Sequence, residues 1–242
     1  ANSGEFLHMR TAAFLGLVLS LTLSASAAAM PDHLSKPQYV APQDMIPAPQ
    51  DIAYPGTMHL EVDARDHDQG IFRVTQTIPV AKAGPITLLY PEWLPGNHAP
   101  RGEIEKLVGL EFSADGQKLA WVRDDVDVFA FHLTVPKGVS QITARFQFVS
   151  ATQESQGRIV MAPAMLNLRW HQVSLYPAGY YVRQIPVEAT ATYPDGWQAA
   201  SALRPKSTSG STIVYEKTDY DTLVDSPVFA GQNFQTIALT SR

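Results

Sequence analysis

The sequence predicts an all-β fold, either an antiparallel β-sandwich or a saddle-like sheet. Apolar and polar residues alternate with a period of two in several segments, which places the apolar side chains on one face of a strand. No long segment shows the 3.6-residue period of an amphipathic helix, and 15 glycines and 18 prolines interrupt the chain. Together these observations favour short strands joined by turns.

The alternation is clearest at residues 58–64, MHLEVDA, where each apolar residue is followed by a polar one until Ala64. The pair Asp115 and Gly116 separates two apolar segments, and Asp-Gly favours a tight hairpin because both residues tolerate a positive φ. The same reasoning predicts further strands at residues 72–78, 86–90, 126–135, 142–148, 187–193 and 212–216.

The composition of the 242 residues excludes several classes of protein. The net charge of −5, from 18 Lys and Arg against 23 Asp and Glu, argues against a basic nucleic-acid binder. A hydrophobic fraction of 45% and a charged fraction of 17% indicate a packed domain rather than a disordered chain. The absence of cysteine excludes a disulfide scaffold, an iron–sulfur cluster, a cysteine nucleophile and a thiolate zinc site.

The N-terminal segment resembles an export signal. Residues 1–8 read as a cloning scar, and residues 9–29 combine the basic Arg10, a short apolar run and small residues suited to cleavage near Ala27 or Ala29. The run is shorter than the ~20 apolar residues that a spanning helix needs, so we expect no stable membrane insertion. We therefore expect a periplasmic or secreted protein.

The remaining chain divides into three predicted parts. Residues 30–55 are rich in proline, which interrupts both helices and sheets, so we expect a linker without a core. With the signal it would form a disordered or loosely attached N-terminal extension. Residues 56–235 form the predicted β domain, and residues 236–242 the start of a connection to a further domain.

The sequence contains none of the common catalytic motifs. It lacks the H-E-x-x-H zinc motif, the G-x-S-x-G elbow, the G-x-x-x-x-G-K-[ST] loop and the G-x-G-x-x-G turn. Its seven histidines are isolated, and no two lie at positions i and i+4. We therefore predict no catalytic residue, no metal ligand and no cofactor within this chain.

Two acidic groups are candidates for a carboxylate pair. Asp124, Asp125 and Asp127 precede a predicted strand, and Glu103 and Glu105 lie in the segment RGEIEKL. Adjacent residues on a strand point to opposite faces, and charges at a strand entrance usually contact water. We expect both groups to face solvent rather than to catalyse glycoside cleavage.

The aromatic residues suggest a non-enzymatic alternative. Trp93 and Trp197 lie at Pro and Gly turns, whereas Trp121 continues the alternation of Leu119 and is expected in the core. Exposed aromatic rings on a β-sandwich can stack on sugar rings. A free-standing periplasmic binding module for carbohydrate or peptide is therefore the alternative function.

Two strings resemble a known family. Residues 90–98, YPEWLPGNH, resemble the W-x-P-G-[SN] loop of glycyl aminopeptidase-type zinc metallopeptidases, metallopeptidase family sixty-one, and residues 219–228, DYDTLVDSPV, resemble its Y-x-x-L-x-D-S-P element. Residues 104–110 and 116–121 resemble the strand and hairpin between them. The resemblance covers about residues 57–234, which correspond to the N-terminal β domain of the family.

The resemblance implies the role of this domain. In the family a thermolysin-like catalytic domain follows, carrying H-E-x-x-H, a further Glu ligand and the zinc ion. The chain alone is then expected to be inactive and to form a wall of the peptide cleft, whereas the intact protein would hydrolyse N-terminal residues from peptides. Whether the chain is a truncation, a proteolytic fragment or a naturally short protein stays open.

The two strings supply the candidate site residues. The expected substrate contacts lie on the first string and just after it: Trp93, Asn97, His98 and Arg101. Loops on a rigid sheet carry most ligand contacts, which favours these residues. The residues expected to serve as structural motif positions are Pro95, Gly96, Tyr220, Leu223, Asp225, Ser226 and Pro227. The expected partners are the peptide substrate and the missing catalytic domain, without nucleic acid.

Overall fold

The computed structural model describes residues 46–94 and 96–238, which form three β-sheets and one short α-helix. The predicted signal peptide, with Ala27 and Ala29, lies outside the described residues, as does Pro95. The helix is α1 (Tyr220–Val224). The strands in chain order are β1 (Met58–Asp63), β2 (Ile71–Pro79), β3 (Gly84–Leu89), β4 (Leu107–Ala114), β5 (Gln117–Leu119), β6 (Trp121–Arg123), β7 (Ala130–Val135), β8 (Gln141–Val149), β9 (Met161–Ala162), β10 (Met165–Leu168), β11 (Tyr176–Pro177), β12 (Pro186–Thr192), β13 (Gln198–Ala200), β14 (Pro205–Ser209), β15 (Thr212–Tyr215), β16 (Thr218–Asp219) and β17 (Val228–Gly231).

The largest sheet has the strand order β14-β15-β12-β1-β2-β8-β4-β5, with β16 also paired to β12. The two smaller sheets have the orders β13-β17-β10-β9 and β11-β3-β7-β6. Buried residues from all three sheets form a single hydrophobic cluster. The all-β prediction is confirmed, with one exception to the antiparallel pairing: β1 and β12 are parallel, with Leu60 opposite Ala189.

The period-two pattern accounts for how the large sheet packs. On β2, Phe72, Val74 and Ile78 are buried, whereas Arg73 and Thr75 alternate with them on the opposite face. Full burial of such apolar side chains stabilises the fold by about 1.5–3 kcal/mol each. Residues of the opposite face, among them Arg73 and Thr75, line a broad open groove.

The predicted hairpin is present between β4 and β5. Asp115 and Gly116 have φ values of 47° and 78°, as expected for a turn in which both central residues occupy the left-handed region. The strand predicted at residues 126–135 begins only at Ala130, because carboxylates bond the preceding backbone amides. Asp124 Oδ1 accepts bonds from the amides of Val126 and Asp127, each at 2.9 Å.

The packed part of the chain begins before residue 56, the predicted domain boundary. Tyr54 lies in the core, and its hydroxyl donates a 2.5 Å bond to the carbonyl of Pro79. Its ring lies edge-on to Tyr180, with 5.1 Å between the centroids. The amide of Gln50 also bonds the carbonyl of Gly179. The end of the predicted linker is therefore attached to the β domain.

Candidate functional site

The first motif forms a loop closed by backbone hydrogen bonds. The carbonyl of Glu92 accepts bonds from the amides of Arg101 and Gly102, at 2.9 and 3.0 Å. A Cβ atom on Gly102 would lie 2.2 Å from the carbonyl oxygen of Pro91, so only glycine fits this closure. At the tip, Gly96 has a φ of 73°. The loop is thus a braced turn whose two sides are held together at Glu92.

The four predicted substrate contacts all lie on this loop. Trp93, Asn97, His98 and Arg101 are exposed, and Trp93 is 63% exposed despite being the largest side chain type. An isolated bridge pairs Trp93 with Pro100 and places the two sides of the loop next to each other. The structure therefore brings the four residues together on one exposed element, and their contact with substrate stays a prediction.

The second motif begins with a capped helix. The Asp219 carboxylate accepts a 2.9 Å bond from the Thr222 amide and caps α1, a contact that supplies a partner to an otherwise unpaired helical N–H. Tyr220 and Leu223 are buried. The hydroxyl groups of Tyr220 and Ser174 lie 2.8 Å apart, so this helix is bonded directly to the chain that follows β10.

The end of the second motif is a bonded turn. The carbonyl of the buried Ser226 accepts a 2.9 Å bond from the indole N–H of Trp170. The hydroxyl of Ser226 donates to the carbonyl of Thr222 at 2.7 Å. Asp225 and Pro227 are exposed on either side of it. The assignment of this motif as structural stays a prediction, and these are the contacts on which it depends.

The two motifs meet at a cavity of about 120 Å³. The loop contributes Leu94, and the second motif contributes Val224, Asp225 and Pro227. The remaining wall comes from the residues between β10 and β11. The lining residues from that segment are Arg169 and His171.

The segment that carries Arg169 and His171 is a 3-10 turn, Trp170–Gln172, held by buried polar contacts. The side chain of Gln76, from β2, donates a 2.7 Å bond to the carbonyl of Leu175 and accepts a 2.9 Å bond from its amide. Both bonds of the Gln76 side chain are to backbone atoms of Leu175. They therefore fix the position of the turn against the sheet.

A second polar contact ties the turn to the loop. Glu103 accepts a 2.5 Å bond from the side-chain amide of Gln172 and also bonds Lys106. The hydroxyl of Tyr90 donates to the carbonyl of Gln172 at 3.2 Å. The prediction that Glu103 faces solvent is therefore wrong, because its carboxylate is the acceptor that joins the two segments; Glu105 is exposed.

The protonation of the cavity wall is set by burial. Burial, followed by the nearby Arg169, lowers the pKa of His171 to about 3. The pKa of Arg169 is also lowered, chiefly by burial and then by Arg158, while Glu103 and Tyr90 act in the opposite direction. At neutral pH the wall therefore presents a neutral imidazole and a partly desolvated cation.

The acidic residues before β7 form a turn, and one of them, Asp124, contacts a histidine. The backbone amide of Asp127, followed by His132, lowers the pKa of Asp124 to about 2. Its Oδ2 lies 2.7 Å from His132 Nε2, and its side chain is only 11% exposed. The expectation that this group faces water is therefore wrong for Asp124, although Asp125 is exposed.

The four tryptophans do not form an exposed aromatic surface. Trp197, which was a candidate for stacking on sugars, is only 9% exposed and packs against His67. Trp170 is fully buried. Trp121, which was expected in the core, is half-buried and lies edge-on to core phenylalanines. Trp93 is the exposed member of the four.

Among the described residues, no group of three His, Asp or Glu side chains is arranged to hold a metal ion. The same part of the chain contains no helix that is long and apolar enough to cross a membrane. Sequence reasoning missed Arg169 and Gln172 and treated His171 as one of several isolated histidines. The signal present was the group of three polar residues around Trp170 in RWHQ, at a position that the structure largely buries.

The chain matches one known family. The family model for the peptidase M61 N-terminal domain matches residues 59–232. No curated protein matches the chain.

Several solved structures resemble the fold. An aminopeptidase N family protein from Idiomarina loihiensis has a TM-score of 0.60 at 18% identity, over 72% of this chain and 29% of that one. An M1 zinc metallopeptidase from Deinococcus radiodurans, a mutant bound to a Tyr-Ser-Ala substrate, has a TM-score of 0.39 at 11% identity, over 72% and 41%. Native yeast LTA4 hydrolase has a TM-score of 0.41 at 9% identity, over 72% and 28%. The chain therefore spans less than half of each of these structures.

Proposed function

Because the chain belongs to the family of peptidase M61 N-terminal domains, we propose that it is the non-catalytic N-terminal part of an exported zinc metallo-aminopeptidase. In the intact protein, this domain forms one wall of the cleft in which peptides lose their N-terminal residues. A separate catalytic domain holds the zinc ion, which supplies Lewis-acid catalysis when bound. The apolar N-terminal signal in the sequence supports export.

The exposure of Trp93 is the observation that best supports the proposal of a cleft wall. Tryptophan is highly buried on average, yet this ring is 63% exposed on a loop braced at Glu92. The backbone bonds that close the loop restrict its conformations before a ligand arrives, so less conformational entropy is lost on binding. The ring is therefore suited to pack against an apolar part of a peptide.

The polar residues of the loop complement this ring. Asn97, His98 and Arg101 are exposed on the same loop and supply hydrogen-bond donors and acceptors. In our proposal they bond the peptide backbone while Trp93 contacts a side chain. None of them performs the chemistry, because the wall binds and orients the peptide.

The test uses the intact parent protein and kinetics on glycyl and alanyl p-nitroanilides and short peptides. Trp93→Ala is expected to raise KM about tenfold with little change in kcat, since it removes a binding contact remote from the reacting bond. Val122→Ala is the matched control, because Val122 is also an exposed apolar residue, 64% exposed, but lies on β6 outside the loop.

Two outcomes would contradict the proposal. An unchanged KM in Trp93→Ala would show that the loop does not line the cleft. Peptidase activity that depends on zinc in the 242-residue chain alone would show that the domain itself is catalytic. The carbohydrate alternative is less favoured, because Trp197, one of its two candidate stacking residues, is buried.

A further inference from the structure

The cavity between the two motifs contains an unpaired cation. Arg169 is half-buried; among the described residues its side chain makes no hydrogen bond, and no carboxylate lies within 4.0 Å of its guanidinium. Glu103, which influences Arg169 electrostatically, is already bonded to Lys106 and Gln172. The guanidinium is partly desolvated and has N–H donors that no protein acceptor occupies, so an anion that entered the cavity would be stabilised.

A second polar group in the same wall also lacks a partner. His171 is only 4% exposed, and its Nε2 makes no hydrogen bond. Buried polar atoms are almost always hydrogen-bonded in native proteins. Nε2 is enclosed and out of reach of a ligand, so what His171 contributes to the cavity is a neutral wall beside the Arg169 guanidinium.

The size and remaining walls restrict what can enter. A volume of about 120 Å³ equals roughly four water molecules, which suits a carboxylate with its attached carbon. Leu94, Val224 and Pro227 supply apolar walls. Asp225 is exposed at the same cavity and opposes a second negative charge, so a singly charged group fits better than a phosphate dianion.

We propose that this cavity binds a carboxylate group, with the Arg169 guanidinium as its counter-charge and hydrogen-bond donor and the neutral His171 in the adjoining wall. The planar guanidinium matches the two oxygens of a carboxylate. Because both family motifs line the cavity, the carboxylate belongs either to the C-terminus of a short peptide or to an acidic side chain of the following catalytic domain. The choice between these sources rests on the proposed function, whereas the site itself does not.

The site is tested on the 242-residue chain with N-acetylglycine, triglycine and triglycine amide. Binding is followed by NMR, with the ring signals of His171 assigned by comparison with His171→Gln. We expect the two acids to shift these signals and the amide not to. Arg169→Gln should weaken binding of the acids at least tenfold, and Arg169→Lys should fall between, because it keeps the charge and loses the planar donor pair.

Two further variants test the charges around and within the site. Arg158→Gln removes an exposed positive charge close enough to act on Arg169 but outside the cavity wall, and it should change the affinity less than threefold. Asp225→Asn should strengthen binding slightly, since it removes the opposing carboxylate. Equal binding of acid and amide, no binding of either, or equal losses in the Arg158 and Arg169 variants would each overturn the proposal.

The intact parent protein distinguishes the two sources. If the carboxylate is the peptide C-terminus, Arg169→Gln raises KM for free-acid peptides and leaves amidated peptides unchanged. If it belongs to the catalytic domain, Arg169→Gln lowers the unfolding temperature of the intact protein and changes KM equally for both peptides. Failure of the proposed function would appear separately, as an absence of aminopeptidase activity in the unmodified parent protein.

Discussion

The two motif regions differ in how far their side chains are buried in the fold. In the loop at residues 92–102, Trp93, Asn97, His98 and Arg101 are exposed, whereas Leu94 is buried and backbone hydrogen bonds close the loop. In the element at residues 219–227, Tyr220, Leu223 and Ser226 are buried and bonded. A family string can therefore mark either a surface that contacts a ligand or a junction of the core, and burial separates the two cases.

The largest expected effect comes from truncating one residue in each region. Leu223→Ala should lower the free energy of unfolding by about 3–4 kcal/mol, because it removes a buried apolar group and leaves a cavity. Trp93→Ala should change it by less than about 0.5 kcal/mol, because its ring is largely solvated. Urea unfolding followed by fluorescence and circular dichroism measures both. Similar losses in the two variants would remove the distinction between the regions.

Two glycines of the loop sharpen the comparison within one region. Gly102→Ala should cost about 2–3 kcal/mol, since the new Cβ would overlap the carbonyl of Pro91. Gly96→Ala should cost only about 1 kcal/mol, because nothing lies within 4 Å and only its positive φ is strained. Thermal unfolding of both variants is the measurement. The reverse order would show that the tip, not the base, is the rigid part of the loop.

A further expected effect concerns pH at the point where the regions meet. The pKa of His171 is lowered to about 3 in the fold, against about 6.5 in the unfolded chain. As the pH falls below about 6.5, the unfolded state therefore binds a proton that the folded state does not. Its contribution to stability is complete above pH 6.5 and is lost as the pH falls towards 3. Between pH 7 and pH 5 this loss is about 2 kcal/mol.

The comparison of wild type with His171→Gln isolates that contribution from the carboxylates that titrate in the same range. Arg169 on the same segment and Asp225 across the cavity are the charged groups facing the ring. The wild type should lose more stability than the variant between pH 7 and pH 5 in urea unfolding. Parallel pH profiles would mean that His171 is protonated in the fold and that the cavity is open to water.

Local pattern predicted the strands well because alternation is a property of neighbouring residues. The segments predicted around β1, β2, β8 and β12 all occur, and the Asp115-Gly116 hairpin turns as its backbone preferences require. The prediction failed at residues 126–129, where the Asp124 carboxylate captures backbone amides. A side chain that bonds the backbone competes with a strand, and the alternation of apolar residues does not report that competition.

The polar junctions could not be predicted in the same way. Gln76 is one of several polar residues on a strand, and only the fold places it against the backbone of Leu175, 99 positions away. The sequence predicts a surface charge at Glu103, whereas the fold places the Gln172 side chain within hydrogen-bond distance of it. Such contacts depend on which distant segments meet, and a single sequence carries no local signal of that meeting.

The sequence by itself determined the β class, the individual strands, the turn chemistry and the family, because each depends on short-range residue order. Tertiary structure alone decided that β1 lies parallel to β12, that Trp93 is exposed while Trp197 is buried, and that the two motifs share a cavity with Arg169 and His171. Burial and partnership are relations between segments far apart in the chain. These relations determine which charged group is desolvated and which polar atom lacks a hydrogen-bond partner. Those two properties identify the candidate site.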